Sequence, residues 1–220
     1  MHHTVKNIIE INEKVKKKIL SLNYTSYLPK IIAVSKTFPM SEILPLINYG
    51  HKHFGENKVQ ESIKKWTEIK ENNKNIMLHM VGRLQTNKAK YAVGLFDYIH
   101  SVDSLKLANK IIDEQIKQSK KIKIFIQVNI GQEIQKSGIH LNDVNKLVED
   151  CRKLNLDIVG LMCLPPLNGP SKNYFSKIKE KNDELKFREL SLGMSNDFVE
   201  AIVHKTTFIR IGTKIFGERN

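Results

Sequence analysis

Short runs of β-branched and other apolar residues alternate with amphipathic stretches along the whole chain, and this alternation constrains the fold most. Each predicted strand but the last precedes a predicted helix, and a further helix over residues 5–22 leads the chain. Parallel strands need a crossover connection, so a repeated strand and helix is typical of an α/β protein. The predicted strands cover residues 31–36, 52–57, 76–82, 96–103, 123–130, 157–165, 190–195 and 207–216.

The number of strands decides between two α/β architectures. Open doubly wound sheets usually have about five or six strands, and no G-x-G-x-x-G turn follows the first strand here. About eight strands without a long linker favour a closed (β/α)8 (TIM) barrel, in a single domain over residues 1–220. The leading helix is then expected to replace a missing eighth helix or to cover the barrel floor. Ser41 is expected to cap the helix after the first strand.

Composition limits the class of protein. Hydrophobic residues make up 40% of the 220 residues, and no apolar run reaches the roughly 18 residues of a membrane span. We therefore expect a soluble, cytoplasmic protein without a signal peptide. Cys151 and Cys163 match no disulfide or zinc spacing, and no third ligand accompanies His51 and His53, so no metal site is predicted.

The net charge of +13 is compatible with nucleic acid, an anionic membrane or a phosphorylated ligand. The lysines are scattered along the chain rather than clustered in one tail. A nucleic-acid surface is therefore a minor alternative hypothesis, and a steep dependence of binding on salt would be its signature.

Lys36 ends the first predicted strand, where the active site of such a barrel lies. Period-2 alternation puts it on the same face as Ile32 and Val34. If that face points into the barrel, apolar walls disfavour the charged amine, as a lysine that forms a Schiff base requires. The alternative is that Lys36 is one of many surface lysines.

The last two predicted strands end in small and hydroxyl-bearing residues. Residues 193–195 read Gly-Met-Ser and residues 210–213 read Arg-Ile-Gly-Thr. Barrel enzymes often hold phosphate on the corresponding loops, and closure puts the eighth strand beside the first. A reactive lysine beside a phosphate site suggests pyridoxal 5′-phosphate (PLP). The residues expected at the phosphate are Ser195, Gly212 and Thr213.

Arg210 shares a face with Phe208 and Gly212, so we expect it to point into the barrel mouth. A buried guanidinium needs a partner. One candidate is the pyridine nitrogen of the cofactor, which an arginine would keep unprotonated. The other is a strand carboxylate such as Asp103 or Glu56.

Three further polar residues end predicted strands, namely Asn57, His79 and Asn129. Such residues either contact a cofactor or cap loops. We predict that Asn57 and His79 bind the cofactor.

Motifs along most of the chain resemble the YggS/PROSC family, the pyridoxal phosphate homeostasis proteins. They are 33–37 (AVSKT), 54–57 (FGEN), 84–88 (LQTNK), 136–138 (KSG), 190–195 (LSLGMS) and 210–213 (RIGT). The resemblance runs from about residue 31 to residue 219. Lys58 departs from it, because the family commonly has tyrosine there.

The resemblance implies a barrel like the N-terminal domain of alanine racemase, with PLP as a Schiff base on Lys36 and the ring nitrogen at Arg210. It also implies a role in PLP (vitamin B6) homeostasis and amino-acid balance, with PLP-dependent apoenzymes as partners. Racemases of this fold take a second acid/base from a further β-domain across a dimer. Because the sequence ends at Asn220, we expect a monomer with little or no catalysis. A weak amino-acid racemase is the alternative hypothesis.

Overall fold

The computed structural model describes residues 1–133, 135–166 and 171–218, so the loop predicted after residue 165 lies partly outside them. Eight parallel strands pair in chain order, and β8 pairs with β1 to close a barrel. The strands are β1 (Lys30–Val34), β2 (His53–Glu56), β3 (Met77–Met80), β4 (Tyr98–Val102), β5 (Lys123–Val128), β6 (Asp157–Cys163), β7 (Glu189–Ser191) and β8 (Phe208–Ile211).

Helices follow the strands and surround the barrel. They are α1 (His3–Ser21), α2 (Met40–Asn48), α3 (Val59–Asn72), α4 (Ala89–Leu95), α5 (Leu105–Gln118), α6 (Val144–Lys153), α7 (Ser171–Glu184), α8 (Phe198–Val203) and α9 (Thr213–Phe216). The predicted (β/α)8 barrel is thereby confirmed. Helix α1 contacts α2, α8 and α9, so it occupies the place of a full-length eighth helix in the outer ring rather than covering the floor.

Some local predictions were wrong. The strands predicted over 31–36 and 190–195 end at Val34 and Ser191, so Lys36 and Ser195 lie beyond them. The last strand was predicted to reach residue 216, but it ends at Ile211, because Gly212 (φ −110°, ψ −77°) turns the chain into the short helix α9. Ser41 is not a cap. Pro39, whose ring fixes φ near the observed −71°, precedes Met40, so α2 begins earlier and Ser41 lies in its first turn.

Alternate residues of β1 face two different apolar layers. Ile31 and Ala33 pack in the layer between the sheet and the helices, whereas Ile32 and Val34 belong to a smaller cluster inside the barrel. The side of β1 on which Lys36 was placed by alternation is therefore the inner side. In the part of the chain that the structure describes, no helix combines the length and the apolar character needed to span a bilayer.

Candidate functional site

A cavity of about 650 Å³ opens where the strands end, at the C-terminal side of the barrel. It brings together most of the residues that the sequence singled out, although they come from strands that are distant in the chain. The predicted residues that line it are Lys36, Ser195, Arg210, Gly212 and Thr213. Both loops predicted to hold phosphate therefore meet the predicted nucleophile.

Lys36 is half-buried, and the residues on each side of it are fixed to β2 and α3. The Ser35 hydroxyl donates to Oε1 of the buried Glu56 at 2.8 Å. The Thr37 backbone amide donates to Oε1 of Glu61 at 2.9 Å, and Thr37 has a positive φ of 68°. These two hydrogen bonds fix the backbone on both sides of Lys36 and so determine the direction of its side chain toward the cavity.

Arg210 is only 4% exposed, and its partners are not carboxylates. Nη1 donates to the carbonyl and to the hydroxyl of Ser191 at 2.7 Å each, and Nη2 donates to the Cys163 carbonyl at 2.8 Å. Burial lowers the pKa of the guanidinium, and the neighbouring Cys163 and Asp197 raise it. An arginine nevertheless stays protonated, so a buried positive charge lies at the cavity.

The two carboxylates considered as partners of Arg210 are engaged elsewhere. Glu56 accepts hydrogen bonds from Lys65 and Trp66 on the helix side of the sheet. Oδ2 of Asp103 accepts from the Gly138 amide at 3.3 Å. In the described residues the ion-pair explanation for Arg210 is therefore wrong.

Glycines let the two loops pack closely against α8 and β1. Gly193 has a φ of +85°, and a Cβ there would lie 2.7 Å from the Cβ of Ala201. A Cβ on Gly212 would lie 3.3 Å from the Val34 carbonyl, which places the end of β8 directly against the end of β1. Ser195 is half-buried and Thr213 is exposed, so their hydroxyls are accessible from the cavity.

The residues predicted at the ends of the middle strands do not line the cavity. Asn57 is half-buried behind it, packed against Gly82, and its Oδ1 is buried without a hydrogen-bond partner. Asn129 caps a loop, since its side chain bonds to the backbone of Glu133 and Lys136.

His79 lies inside the barrel and is fully buried. Both of its ring nitrogens are 3.0 Å from another histidine, His53 on one side and His100 on the other. Both of its ring nitrogens are therefore engaged inside the barrel, and the binding of the cofactor by His79 stays a prediction.

Sequence reasoning missed the histidines as a group. His53, His79 and His100 lie on successive strands β2, β3 and β4. The sequence analysis considered His53 and His79 only within their own strands and did not consider His100. Their common inward orientation was the available signal, because a polar residue on the inner face of a barrel strand needs a polar neighbour.

Comparison with known proteins gives one consistent result. Residues 12–220 match the family described as alanine racemase, N-terminal domain. The chain is 40% identical to the pyridoxal phosphate homeostasis protein of Aquifex aeolicus over 200 residues, which covers 86% of this chain and 87% of that protein. It is 32% identical to the protein of the same name from Escherichia coli K12 over 235 residues, covering 100% of this chain and 98% of that one.

Solved structures agree with the sequence comparison. PipY of Synechococcus elongatus with PLP bound is 34% identical, with a TM-score of 0.80 over 92% of this chain and 100% of that chain. An alanine racemase of Clostridium difficile has a TM-score of 0.72 at 16% identity, and the match covers 99% of this chain but 57% of the racemase. The second likeness is one of fold alone.

Proposed function

Because this chain belongs to the pyridoxal phosphate homeostasis protein family, we propose that it binds PLP as a Schiff base on Lys36 and serves PLP homeostasis with little or no catalysis. PLP supplies an aldehyde, a phosphate and a pyridine nitrogen. In forming the Schiff base, the Lys36 amine adds to the aldehyde carbon, the C=N bond forms, and one water leaves.

The observation that carries the proposal is the set of donors that converge on one cavity. Lys36 offers the amine, Ser195 and Thr213 offer hydroxyls, and Gly212 lets the backbone approach an anion. Arg210 keeps N–H donors on Nε and Nη2 beyond those bonded to Ser191 and Cys163. These residue types fit the phosphate and the ring nitrogen of PLP.

Two features of the cavity support the proposal that the protein has little or no catalytic activity. Arg210 does not give up its proton, so a ring nitrogen that accepts from it stays unprotonated and withdraws electrons less strongly. Among the described residues that line the cavity there is no tyrosine, histidine or cysteine to act as a second acid/base beside Lys36. Two carboxylates also line the cavity: Asp197, whose Oδ1 accepts the Met194 amide at 2.6 Å, and the exposed Glu218.

The decisive experiment is the absorption spectrum of the PLP-loaded protein before and after borohydride reduction. We expect a Schiff-base band that borohydride bleaches, and a peptide in which the cofactor is attached to Lys36. Lys36→Ala should lack the band. Lys121→Ala, which removes an exposed lysine ahead of β5 on the far side of the barrel, should keep it. A band of equal strength in Lys36→Ala would overturn the proposal.

The lack of catalysis has its own test. Purified loaded protein should leave the circular dichroism of L-alanine unchanged over hours. Racemisation that disappears in Lys36→Ala would instead establish the weak racemase.

PLP-dependent apoenzymes are the recipients that we propose. Loaded protein should reactivate such an apoenzyme even in the presence of a scavenger that removes free PLP. Loss of reactivation with the scavenger would reduce the role to storage.

A further inference from the structure

A continuous column of hydrogen bonds crosses the inside of the barrel and ends on Arg210. Nδ1 of His53 is 3.0 Å from Nε2 of His79, and Nδ1 of His79 is 3.0 Å from Nε2 of His100. Nδ1 of His100 is 3.0 Å from the Ser191 hydroxyl, which accepts from Nη1 of Arg210 at 2.7 Å. We call these residues the histidine column. Each of its three interior members, from His79 to Ser191, is completely buried.

The guanidinium determines which residue donates and which accepts in each hydrogen bond of the column. A guanidinium only donates, so the Ser191 oxygen accepts from Nη1 of Arg210. In the described chain the Ser191 hydroxyl has Nδ1 of His100 as its one acceptor, so we assign the serine proton to this bond. A neutral His100 that accepts at Nδ1 carries its proton on Nε2 and donates it to His79. By the same argument His79 carries its proton on Nε2 and donates to His53.

An additional proton has no place in this arrangement. If His79 were charged, both of its ring nitrogens would donate, and Nδ1 would face the Nε2 proton of His100. If His100 were charged, the Ser191 proton would have to turn away from its one acceptor in the described chain. Burial lowers the pKa of both histidines well below the ordinary value, and the charge of Arg210 lowers that of His100 further. The column is thus neutral. It conducts no proton to the cavity, because its last member is an arginine that does not deprotonate.

Aromatic rings hold the column in place. His79 stacks on Tyr98 with a centroid distance of 4.5 Å, and His100 stacks on Phe125 at 4.3 Å. Phe208 contacts both histidines edge to face. Rings confined in this way cannot rotate to offer Ser191 a different partner without disturbing the apolar cluster around them.

The Ser191 bonds determine which protons of Arg210 remain available. Nη1 is used entirely by the carbonyl and the hydroxyl of Ser191, which fixes the plane of the guanidinium. Only Nε and the second proton of Nη2 are left to face the cavity.

We propose that Ser191, His100 and His79 are positioning residues, which fix the guanidinium of Arg210 so that its remaining N–H donors face the pyridine nitrogen of the cofactor. This inference rests on the proposed function, and it assigns to three interior residues a role toward a ligand that they do not touch.

The first test uses the cofactor-free protein. Nitrogen NMR of the imidazole side chains distinguishes protonated from unprotonated ring nitrogens, and we expect His79 and His100 to carry their protons on Nε2. In Ser191→Ala, Nδ1 of His100 loses its donor, so His100 should become a mixture of tautomers. Protons on Nδ1 in the wild type would overturn the direction of the column.

The second test uses PLP. Ser191→Ala should shift the absorption band of the bound cofactor and weaken its affinity about fivefold, the usual effect of one hydrogen bond. Ser191→Thr keeps the hydroxyl and should restore both properties. Thr206→Val is the matched control, because it removes another fully buried hydroxyl, bonded to the β7 backbone and to Leu192, without touching the column.

The outcomes separate the two proposals. Equal spectral changes in Ser191→Ala and Thr206→Val would overturn the positioning role and leave the proposed function standing. Failure of the wild type to bind PLP would overturn the proposed function, and with it the role of the column toward the cofactor.

Discussion

The two faces of the barrel sheet are built from different chemistry. On the outer face, aliphatic and aromatic side chains such as Phe54, Trp66 and Phe175 fill the layer between strands and helices. On the inner face a small apolar cluster shares the space with the histidine column and Arg210. Burial of apolar area dominates stability, whereas buried hydrogen bonds contribute little net free energy but fix orientation. The outer layer therefore stabilises the fold, and the inner layer orients groups for the cavity.

The largest effect is expected in the outer layer. Phe175 of α7 is completely buried, and Phe175→Ala should lower the free energy of unfolding by about 3–5 kcal/mol through lost burial and a cavity. Urea denaturation measures this, with Phe175→Leu as the milder control. A loss of only about 1 kcal/mol, the usual contribution of one hydrogen bond such as those of Ser191, would contradict the division between the layers.

A buried ion pair on the outer face of the sheet tests whether charged groups there also contribute to the stability of the fold. Nζ of Lys65 is 3.0 Å from Oε1 of Glu56, and their side chains are 10% and 0% exposed. Lys65→Met leaves the carboxylate buried without its cation and should cost about 3 kcal/mol of stability. Lys65→Met combined with Glu56→Gln should recover part of the loss in urea denaturation. No recovery would mean that the charge of Glu56 is not the cause.

Histidines shielded from water make the stability of the protein sensitive to acid. His51 packs against Phe54 of the outer layer, whereas His79 and His100 lie inside the barrel. Burial lowers the pKa of His51 to about 4, as well as those of His79 and His100. Below pH 6.5, the ordinary histidine pKa, the unfolded chain therefore binds protons that the folded chain excludes, and stability falls as the pH falls. For His51 the loss is at most about 1.4 kcal/mol per pH unit, and it ends near pH 4, where the folded chain binds the proton as well.

The measurement is the free energy of unfolding at a series of pH values below 6.5, and its slope against pH is compared between variants. His51→Gln should flatten the slope by up to about 1.4 kcal/mol per unit, relative to the wild type. A mutation of an exposed carboxylate such as Glu13→Gln is the control that should leave the slope unchanged. An equally steep slope in His51→Gln would mean that the imidazole is already charged in the folded protein.

The smallest change in stability is expected at the cavity rim. Thr213 is exposed, so Thr213→Ala should change the free energy of unfolding by less than about 0.5 kcal/mol. Loss of its hydroxyl should nevertheless weaken PLP binding about fivefold. Thr207→Ala removes a hydroxyl that both donates to and accepts from the Leu190 backbone of β7, so it should show the opposite pattern of lost stability and unchanged affinity.

The sequence was sufficient for the barrel and for the cavity residues that lie on β8 or follow β1, β7 and β8. Strand and helix periodicities are local, and alternation along one strand placed Lys36 on the same side as Ile32 and Arg210 on the same side as Phe208. It was insufficient wherever neighbours come from other strands. The partner of His79 depends on the register between β2, β3 and β4, which no single strand encodes.

The closing pair of strands has a consequence for folding. Ile32 of β1 lies opposite Arg210 of β8, so the cavity is built across the seam where the first and last strands of the described chain meet. Contacts this distant in sequence form late and at a high entropic cost. A ligand bound across the seam shifts the equilibrium toward the closed barrel by mass action. Cofactor supply would then act on the lifetime of the protein itself, since the loaded chain unfolds less readily than the unloaded one.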